Sequence, residues 1–118
     1  AITKVIFETG LLPKDDLKIR LCEICEAAGA AFVKTSTGFG YVKGADGSMQ
    51  ATGATEHDIK LMRAHVSEKV QVKASGGIRN YADAVKFVQL GATRLGTSGT
   101  QAIWQGEQGQ HAENTAAY

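Results

Sequence analysis

The stretch GAAFVKTS, residues 29–36, recurs in altered form as GATRLGTS at residues 91–98. In both copies a Gly-Ala pair leads into a short run, largely apolar in the first copy, that is followed by Thr-Ser. Such a run is typical of a buried strand, and a glycine just before it is typical of a helix end. The repeat therefore predicts two copies of one unit, in which a helix returns the chain to a new strand.

Two further units of the same kind are visible. Strands are predicted at residues 4–8, 32–35, 70–74 and 94–96, and helices are predicted to begin near Asp15, Thr55, Asn80 and Ser98. Helical spacing predicts that the following residues face inward: Leu17, Leu21, Ile24, Cys25 and Ala28 in the first helix, Ile59, Met62 and Val66 in the second, and Ala84, Phe87 and Val88 in the third.

Strands that alternate with helices form parallel sheets, because a parallel connection needs a crossover. The fold class is thus α/β, either a doubly wound sheet or a (β/α)8 barrel. Since such a barrel takes about 250 residues, four units in 118 residues amount to half of one. We expect residues 1–105 to form this half barrel and residues 106–118 to form a flexible tail. The glycine-rich segment 38–53 is expected to be a loop or a small hairpin.

Composition excludes several classes of function. The net charge of +1 offers no basic field for nucleic acid or an anionic membrane, and no apolar run approaches the roughly 20 residues that span a bilayer. A cytoplasmic location is expected. Cys22 and Cys25 form a C-x-x-C pair, but no second ligand pair stands at a zinc-like spacing. We interpret them as reduced structural thiols.

Two lysines stand where predicted strands end, Lys34 and Lys73. Active sites of both candidate architectures lie at that edge. A single lysine there is more often a side chain that reaches solvent at the rim, but two on sequential strands favour a function. A neighbouring ammonium group and partial burial both disfavour the charged form of a lysine. One of the two amines can then attack a carbonyl, while the other stays charged and lowers the pKa of the first.

Glycines follow the last two predicted strands, in SGGIR at residues 75–79 and GTSG at residues 96–99. Either motif alone is as consistent with a tight turn as with a ligand. Together they favour phosphate, because bare glycine lets backbone N–H groups approach an anion next to a helix N-terminus.

These motifs resemble one family. Residues 32–39, FVKTSTGF, are similar to the Schiff-base strand of deoxyribose-phosphate aldolases, and residues 73–79, KASGGIR, resemble that family's second-lysine and phosphate motif. Residues 4–9 and 96–98 resemble its fifth and eighth strands. By this resemblance the chain is the C-terminal half, strands 5–8, of a TIM (β/α)8 barrel.

The resemblance implies a class I aldolase that reversibly cleaves 2-deoxy-D-ribose 5-phosphate to acetaldehyde and D-glyceraldehyde 3-phosphate in deoxyribose catabolism. It implies no metal ion and no organic cofactor. Lys34 would form the imine, Lys73 would lower the pKa of the Lys34 amine, and Tyr118 would aid proton transfer. The residues implied to bind phosphate are Gly38, Gly76, Gly77, Gly96 and Ser98.

Two departures and two alternatives accompany this hypothesis. Phe39 stands where some members of the family carry a basic residue, and the family's proton-relay aspartate belongs to an earlier strand. The alternatives are a related sugar-phosphate aldolase and a non-catalytic half barrel that retains a phosphate site. Because four strands cannot close a barrel, we expect a partner, either a complementary N-terminal half or a second copy of the chain.

Overall fold

The computed structural model describes residues 1–109. Its strands are β1 (Lys4–Ile6), β2 (Phe32–Lys34), β3 (Tyr41–Lys43), β4 (Met49–Ala51), β5 (Gln71–Ser75) and β6 (Ala92–Gly96). Its α-helices are α1 (Asp15–Ala28), α2 (Glu56–His65), α3 (Tyr81–Gln89) and α4 (Thr100–Glu107), and a short 3-10 helix covers Thr9–Leu11.

The main sheet has four parallel strands in the order β1-β2-β5-β6. The predicted α/β class with four βα units is confirmed. The glycine-rich segment after β2 contains an antiparallel hairpin, β3-β4, which settles the choice between loop and hairpin.

The two faces of the sheet differ. Val33 and Val72 are fully buried beneath the helices, in a core that also holds Ile59, Met62 and Phe87. On the opposite face, Lys4, Gln71 and Arg94 are exposed, and the guanidinium of Arg94 lies 4.5 Å from the centre of the Phe32 ring. In this chain the sheet is therefore covered by helices on one side and open on the other.

The helix ends follow the predicted chemistry. The side chains of Thr55 and Asn80 accept hydrogen bonds from the backbone N–H groups of Asp58 and Asp83, at 3.1 and 2.9 Å, which satisfies donors that a helix leaves unpaired. Helix α1 ends at Gly29, in the left-handed conformation that glycine favours there.

The predicted inward faces of α2 and α3 are largely correct, with Val88 an exception at 54% exposed. The prediction for α1 is correct for Cys25 but wrong for Leu17, Ile24 and Ala28, which are exposed. Lys18 and Cys22 are buried instead. The apolar stripe on α1 is wide, and the sheet and α2 cover only one flank of it. Burial raises the pKa of both thiols, that of Cys22 to about 11, as expected of structural cysteines.

Helix α4 begins at Thr100 and extends to Glu107, so it includes the first two residues of the expected tail, Gly106 and Glu107. Gly106 lies against α3, where an added Cβ would come within 2.4 Å of the Tyr81 Cβ. The last turn of α4 therefore packs closely on α3. The remainder of the predicted tail, with Tyr118, lies outside the described residues.

A buried ion pair joins α1 to α2. The Lys18 Nζ lies 2.7 Å from the Asp58 Oδ1, and the two side chains are 10% and 6% exposed. Lys18 also lies 3.6 Å from Asp15, and the His57 Nε2 lies 2.7 Å from the other oxygen of that carboxyl. This pairing explains why α1 turns a lysine inward.

We predict that Lys18→Met destabilises the fold by about 3–5 kcal/mol, because it leaves a buried carboxylate without its partner. Urea unfolding followed by circular dichroism measures the loss. Lys60→Met is the matched control, since Lys60 is exposed and 3.9 Å from Glu56, and it should cost less than about 0.5 kcal/mol. The double variant Lys18→Met/Asp58→Leu should recover most of the loss. A single-variant loss no larger than that of the control would contradict the role of this pair.

Candidate functional site

The two lysines singled out by the sequence are direct neighbours in the sheet. Lys34 of β2 pairs in register with Lys73 of β5, and Ile6 and Arg94 continue the same row on either side. Both lysines are half-buried. Parallel pairing at a common level thus brings two amines to the open face, close to where both strands end.

Lys73 has a lowered pKa. The largest cause is burial, followed by the positive charges of Lys34, Lys4 and Arg94. Each of these factors disfavours the ammonium form. A basic amine that loses its proton more readily than usual is suited to nucleophilic attack or to proton transfer.

The exits of β2 and β5 are fastened together by side chains. The Thr35 hydroxyl donates to the Ser75 carbonyl at 3.1 Å and accepts from the Ser75 N–H at 3.0 Å. The Ser36 hydroxyl donates to the same carbonyl at 2.5 Å. All three residues are fully buried. The small polar residues at the ends of the two strands therefore hold the two following loops in a fixed relation.

A cavity of about 260 Å³ opens between these loops. It is lined by Gly38, Ala51, Thr52, Gly53, Ala54, Thr55, Gly76, Gly77 and Arg79. Three residues proposed to bind phosphate, Gly38, Gly76 and Gly77, are thus brought together, although they come from two different loops. Arg79 adds a guanidinium, and Thr55 marks the start of α2.

Gly96 and Ser98 are not among the residues that line this cavity. Gly96 is the register partner of Ser75, and the Thr97 hydroxyl donates to the Ile78 carbonyl at 2.6 Å. The loop after β6 is thus anchored to the loop after β5, without forming part of the cavity wall.

Close contact between two glycines closes one side of the cavity. A Cβ on Gly53 would lie 2.6 Å from the Gly76 carbonyl oxygen, and a Cβ on Gly76 would lie 2.7 Å from the Gly53 Cα. The Ala54 N–H donates to the Gly76 carbonyl at 3.1 Å. The hairpin β3-β4 leads the chain back to this contact, so a segment far from both lysines helps to form the site.

Two features of the site were missed from the sequence. Arg79 ends the motif SGGIR and has no predicted role, although a cation beside a glycine turn is a usable sequence signal. Glu8 follows β1, and its carboxylate accepts hydrogen bonds from Thr37 in the loop after β2. Nothing in the local sequence indicates that contact.

A second polar cluster lies away from this edge. Ligand atoms of Asp15, His57 and Asp58 lie within 4.8 Å of one another. The Lys18 ammonium already contacts both carboxylates, so the cluster is an ion-pair network that does not need a metal ion. Within residues 1–109, no helix is long and apolar enough to cross a membrane.

The fold and the site define an α/β protein that matches part of a TIM-barrel enzyme, with a lysine pair at the strand exits. Among solved structures it is similar to QR15, an aldolase, with a TM-score of 0.77 and 36% identity over 92% of this chain and 44% of that one. It is also similar to deoxyribose phosphate aldolase from Aeropyrum pernix, with a TM-score of 0.74 and 32% identity over 92% of this chain and 42% of that one.

The chain is a homologue of the deoxyribose-phosphate aldolases. It is 52% identical over 105 residues to the enzyme of Carboxydothermus hydrogenoformans, covering 89% of this chain and 41% of that protein. It is 44% identical over 117 residues to deoxyribose-phosphate aldolase 1 of Mesoplasma florum, covering 99% of this chain and 46% of that protein. The chain thus spans less than half the length of these relatives. No protein-family model matches it.

We predict that Gly76→Ala destabilises the protein more than Gly77→Ala. Both residues have left-handed backbones, with φ of 91° and 78°, which costs a side chain about 1–2 kcal/mol. A Cβ at Gly77 meets open space, whereas one at Gly76 meets the Gly53 backbone. Urea unfolding of the two variants provides the comparison. Equal losses would show that the Gly53–Gly76 contact yields readily and does not define the cavity.

Proposed function

We propose that this chain carries the Schiff-base half of a deoxyribose-phosphate aldolase. The observation that supports the proposal is the in-register pairing of Lys34 with Lys73, next to the glycine-lined cavity. The substrate would be 2-deoxy-D-ribose 5-phosphate, cleaved reversibly to acetaldehyde and D-glyceraldehyde 3-phosphate. This assignment rests on similarity to relatives that are more than twice as long.

In the synthetic direction, the neutral amine of Lys34 attacks the carbonyl carbon of acetaldehyde. Loss of water gives an imine, and loss of a proton from the adjacent methyl carbon gives an enamine. The enamine carbon attacks the aldehyde carbon of glyceraldehyde 3-phosphate, whose oxygen takes up a proton. Hydrolysis of the new imine releases the sugar phosphate and restores the amine. The imine nitrogen accepts an electron pair when the methyl proton leaves and returns it when the new C–C bond forms, so the balanced reaction consumes no redox equivalents.

Lys73 is proposed to exchange protons with these intermediates. Its pKa is lowered first by burial and then by the charge of Lys34, so its ammonium gives up a proton more readily than that of a free lysine. Tyr118, which lies outside the described residues, remains a proposed aid to proton transfer. The role of Tyr118 is carried over from the family resemblance, which for Lys73 implies the tuning of the Lys34 amine.

The cavity is proposed to hold the phosphate group. Backbone N–H groups of the turn at Gly76 and Gly77 can approach an anion closely, and Arg79 supplies a guanidinium suited to phosphate oxygens. Phe39 replaces the basic residue that some relatives carry, so Arg79 is proposed to supply the charge at this site. Gly96 and Ser98 remain proposed contacts only through the resemblance.

A second candidate function is supported by the open sheet. With one face of the four strands uncovered in this chain, the half barrel could bind a phosphorylated aldehyde without turning it over. This alternative predicts binding of phosphate without trapping of an imine.

We predict that acetaldehyde and borohydride label Lys34, as shown by peptide mass mapping. Lys34→Arg keeps the charge but removes the nucleophilic amine, so the label should disappear. Lys73→Leu should move labelling to higher pH, because a like charge beside Lys34 is lost. Lys43→Arg, in the exposed hairpin strand β3, is the control. A label that maps to Lys73 would exchange the two roles, and no label in any assembly would favour the binding-only function.

The charges on the open face indicate what kind of partner could complete the barrel. It carries Lys4, Lys34, Lys73 and Arg94, and none of the four strands contains an aspartate or a glutamate. A barrel closed by two copies of this chain would enclose eight such cations in a region of low dielectric. We therefore propose that the complement is a different segment, the N-terminal half of such a barrel, with carboxylates at its inward positions.

The probe for this proposal is the part of the Carboxydothermus hydrogenoformans enzyme that this chain does not match. Co-expression should give a 1:1 complex by native mass spectrometry, and Lys4→Glu/Arg94→Glu should weaken its formation at least about tenfold through like-charge contacts. Lys14→Glu/Lys69→Glu, at exposed sites outside the strands, is the matched control. A homodimer that forms equally well with and without the charge reversal would contradict the proposal.

A further inference from the structure

The residue that follows β1 and Phe7 has an unusual backbone. Glu8 has φ 53° and ψ 58°, and it is the one non-glycine residue with positive φ within residues 1–109. A side chain with more than a short polar group rarely adopts this left-handed conformation, and strain of this kind persists where the surroundings impose it.

Backbone hydrogen bonds on either side of Glu8 impose this conformation. The Phe7 N–H donates to the Lys34 carbonyl and the Thr9 N–H donates to the Thr35 carbonyl, both at 2.9 Å. The chain after β1 therefore advances two residues while β2 advances one. Glu8 is the extra residue, as in a β-bulge, and bulges redirect a side chain.

The redirected carboxylate reaches the loop after β2. It accepts the Thr37 N–H at 3.2 and 3.3 Å and the Thr37 hydroxyl at 2.7 Å. The Phe39 N–H in turn donates to the Thr37 Oγ1 at 3.2 Å. A chain of hydrogen bonds thus runs from Glu8 across Gly38, a residue of the cavity wall.

We propose that Glu8 is a positioning residue, which holds the turn Thr37–Phe39 and thereby places Gly38 against a phosphate group in the cavity. The carboxylate does not contact the reacting atoms in this role. It fixes the first turn after the strand that bears Lys34, and the strained backbone is retained because a relaxed residue would point elsewhere. The phosphate part of this inference rests on the proposed function, whereas the holding of the turn does not.

The first experiment needs no ligand. Amide hydrogen exchange at Thr37 and Phe39 is measured by NMR on the full chain and on Glu8→Ala, Glu8→Gly and Glu8→Gln. Exchange at both amides should become at least about tenfold faster in the Ala and Gly variants, because hydrogen bonds to a charged acceptor are among the stronger ones. Glu8→Gln keeps one acceptor oxygen and should lie between them and the wild type.

The glycine variant separates the side chain from the backbone. Glu8→Gly adopts positive φ without strain, so its melting temperature should equal or exceed that of Glu8→Ala, although its turn is equally loose. If both variants exchange at the wild-type rate, the carboxylate does not hold the turn and the proposal fails. Glu68→Ala, at an exposed site between α2 and β5, is the control for loss of a carboxylate.

The second experiment measures inorganic phosphate binding by calorimetry. Glu8→Ala and Thr37→Val should weaken the affinity at least about tenfold at an unchanged folded fraction, and Thr37→Ser, which keeps the hydroxyl, should restore most of it. Faster exchange with unchanged phosphate affinity would refute the link to the cavity. No phosphate binding by the wild-type chain would refute the phosphate site of the proposed function, and the exchange rates would then decide the proposal by themselves.

Discussion

The in-register pairing of β2 with β5 is the constraint on which the rest of the site depends. It sets Lys34 opposite Lys73, and one step further it brings Thr35 and Ser75 into reciprocal hydrogen bonds. A slip of one strand by one residue would turn its lysine toward the helices, because side chains alternate between the two faces of a strand. The buried valines beside the lysines, Val33 and Val72, oppose such a slip, so the apolar core on one face fixes the lysines on the other.

The site combines segments that are distant in the sequence. The loop after β2 contributes Gly38, the return from the hairpin contributes Gly53, and the turn after β5 contributes Gly76 and Gly77. Their assembly involves backbone contact between two glycines and the hydrogen bonds that the Glu8 carboxylate, in the loop after β1, accepts from Thr37. Loops at the carboxyl edge of a parallel sheet commonly carry function in this way, because the rigid strands beneath them fix where each loop begins.

The distribution of charge separates the two faces of this half barrel. The helical side contains a buried lysine, and that lysine has its carboxylate partner within the chain. The cations on the open face have no carboxylate partner among the residues of the four strands, and their mutual repulsion contributes to the lowered pKa of Lys73. The chain thus holds a compensated ion pair on its helical side and a group of cations without a carboxylate partner in the strands on its open face.

Local chemistry in the sequence determined the elements and their order. Helical periodicity, the caps at Thr55, Asn80 and Gly29, and the lysines at two strand exits were predictable, because each depends on residues a few positions apart. Only the tertiary structure decided that Lys18 lies inward while Leu17 and Ile24 stay exposed, that Gly96 and Ser98 lie outside the cavity wall, and that Glu8 holds Thr37. Each of these depends on contacts between residues 19 to 40 positions apart or on which flank of a helix meets the sheet. No pattern along a single segment encodes such contacts.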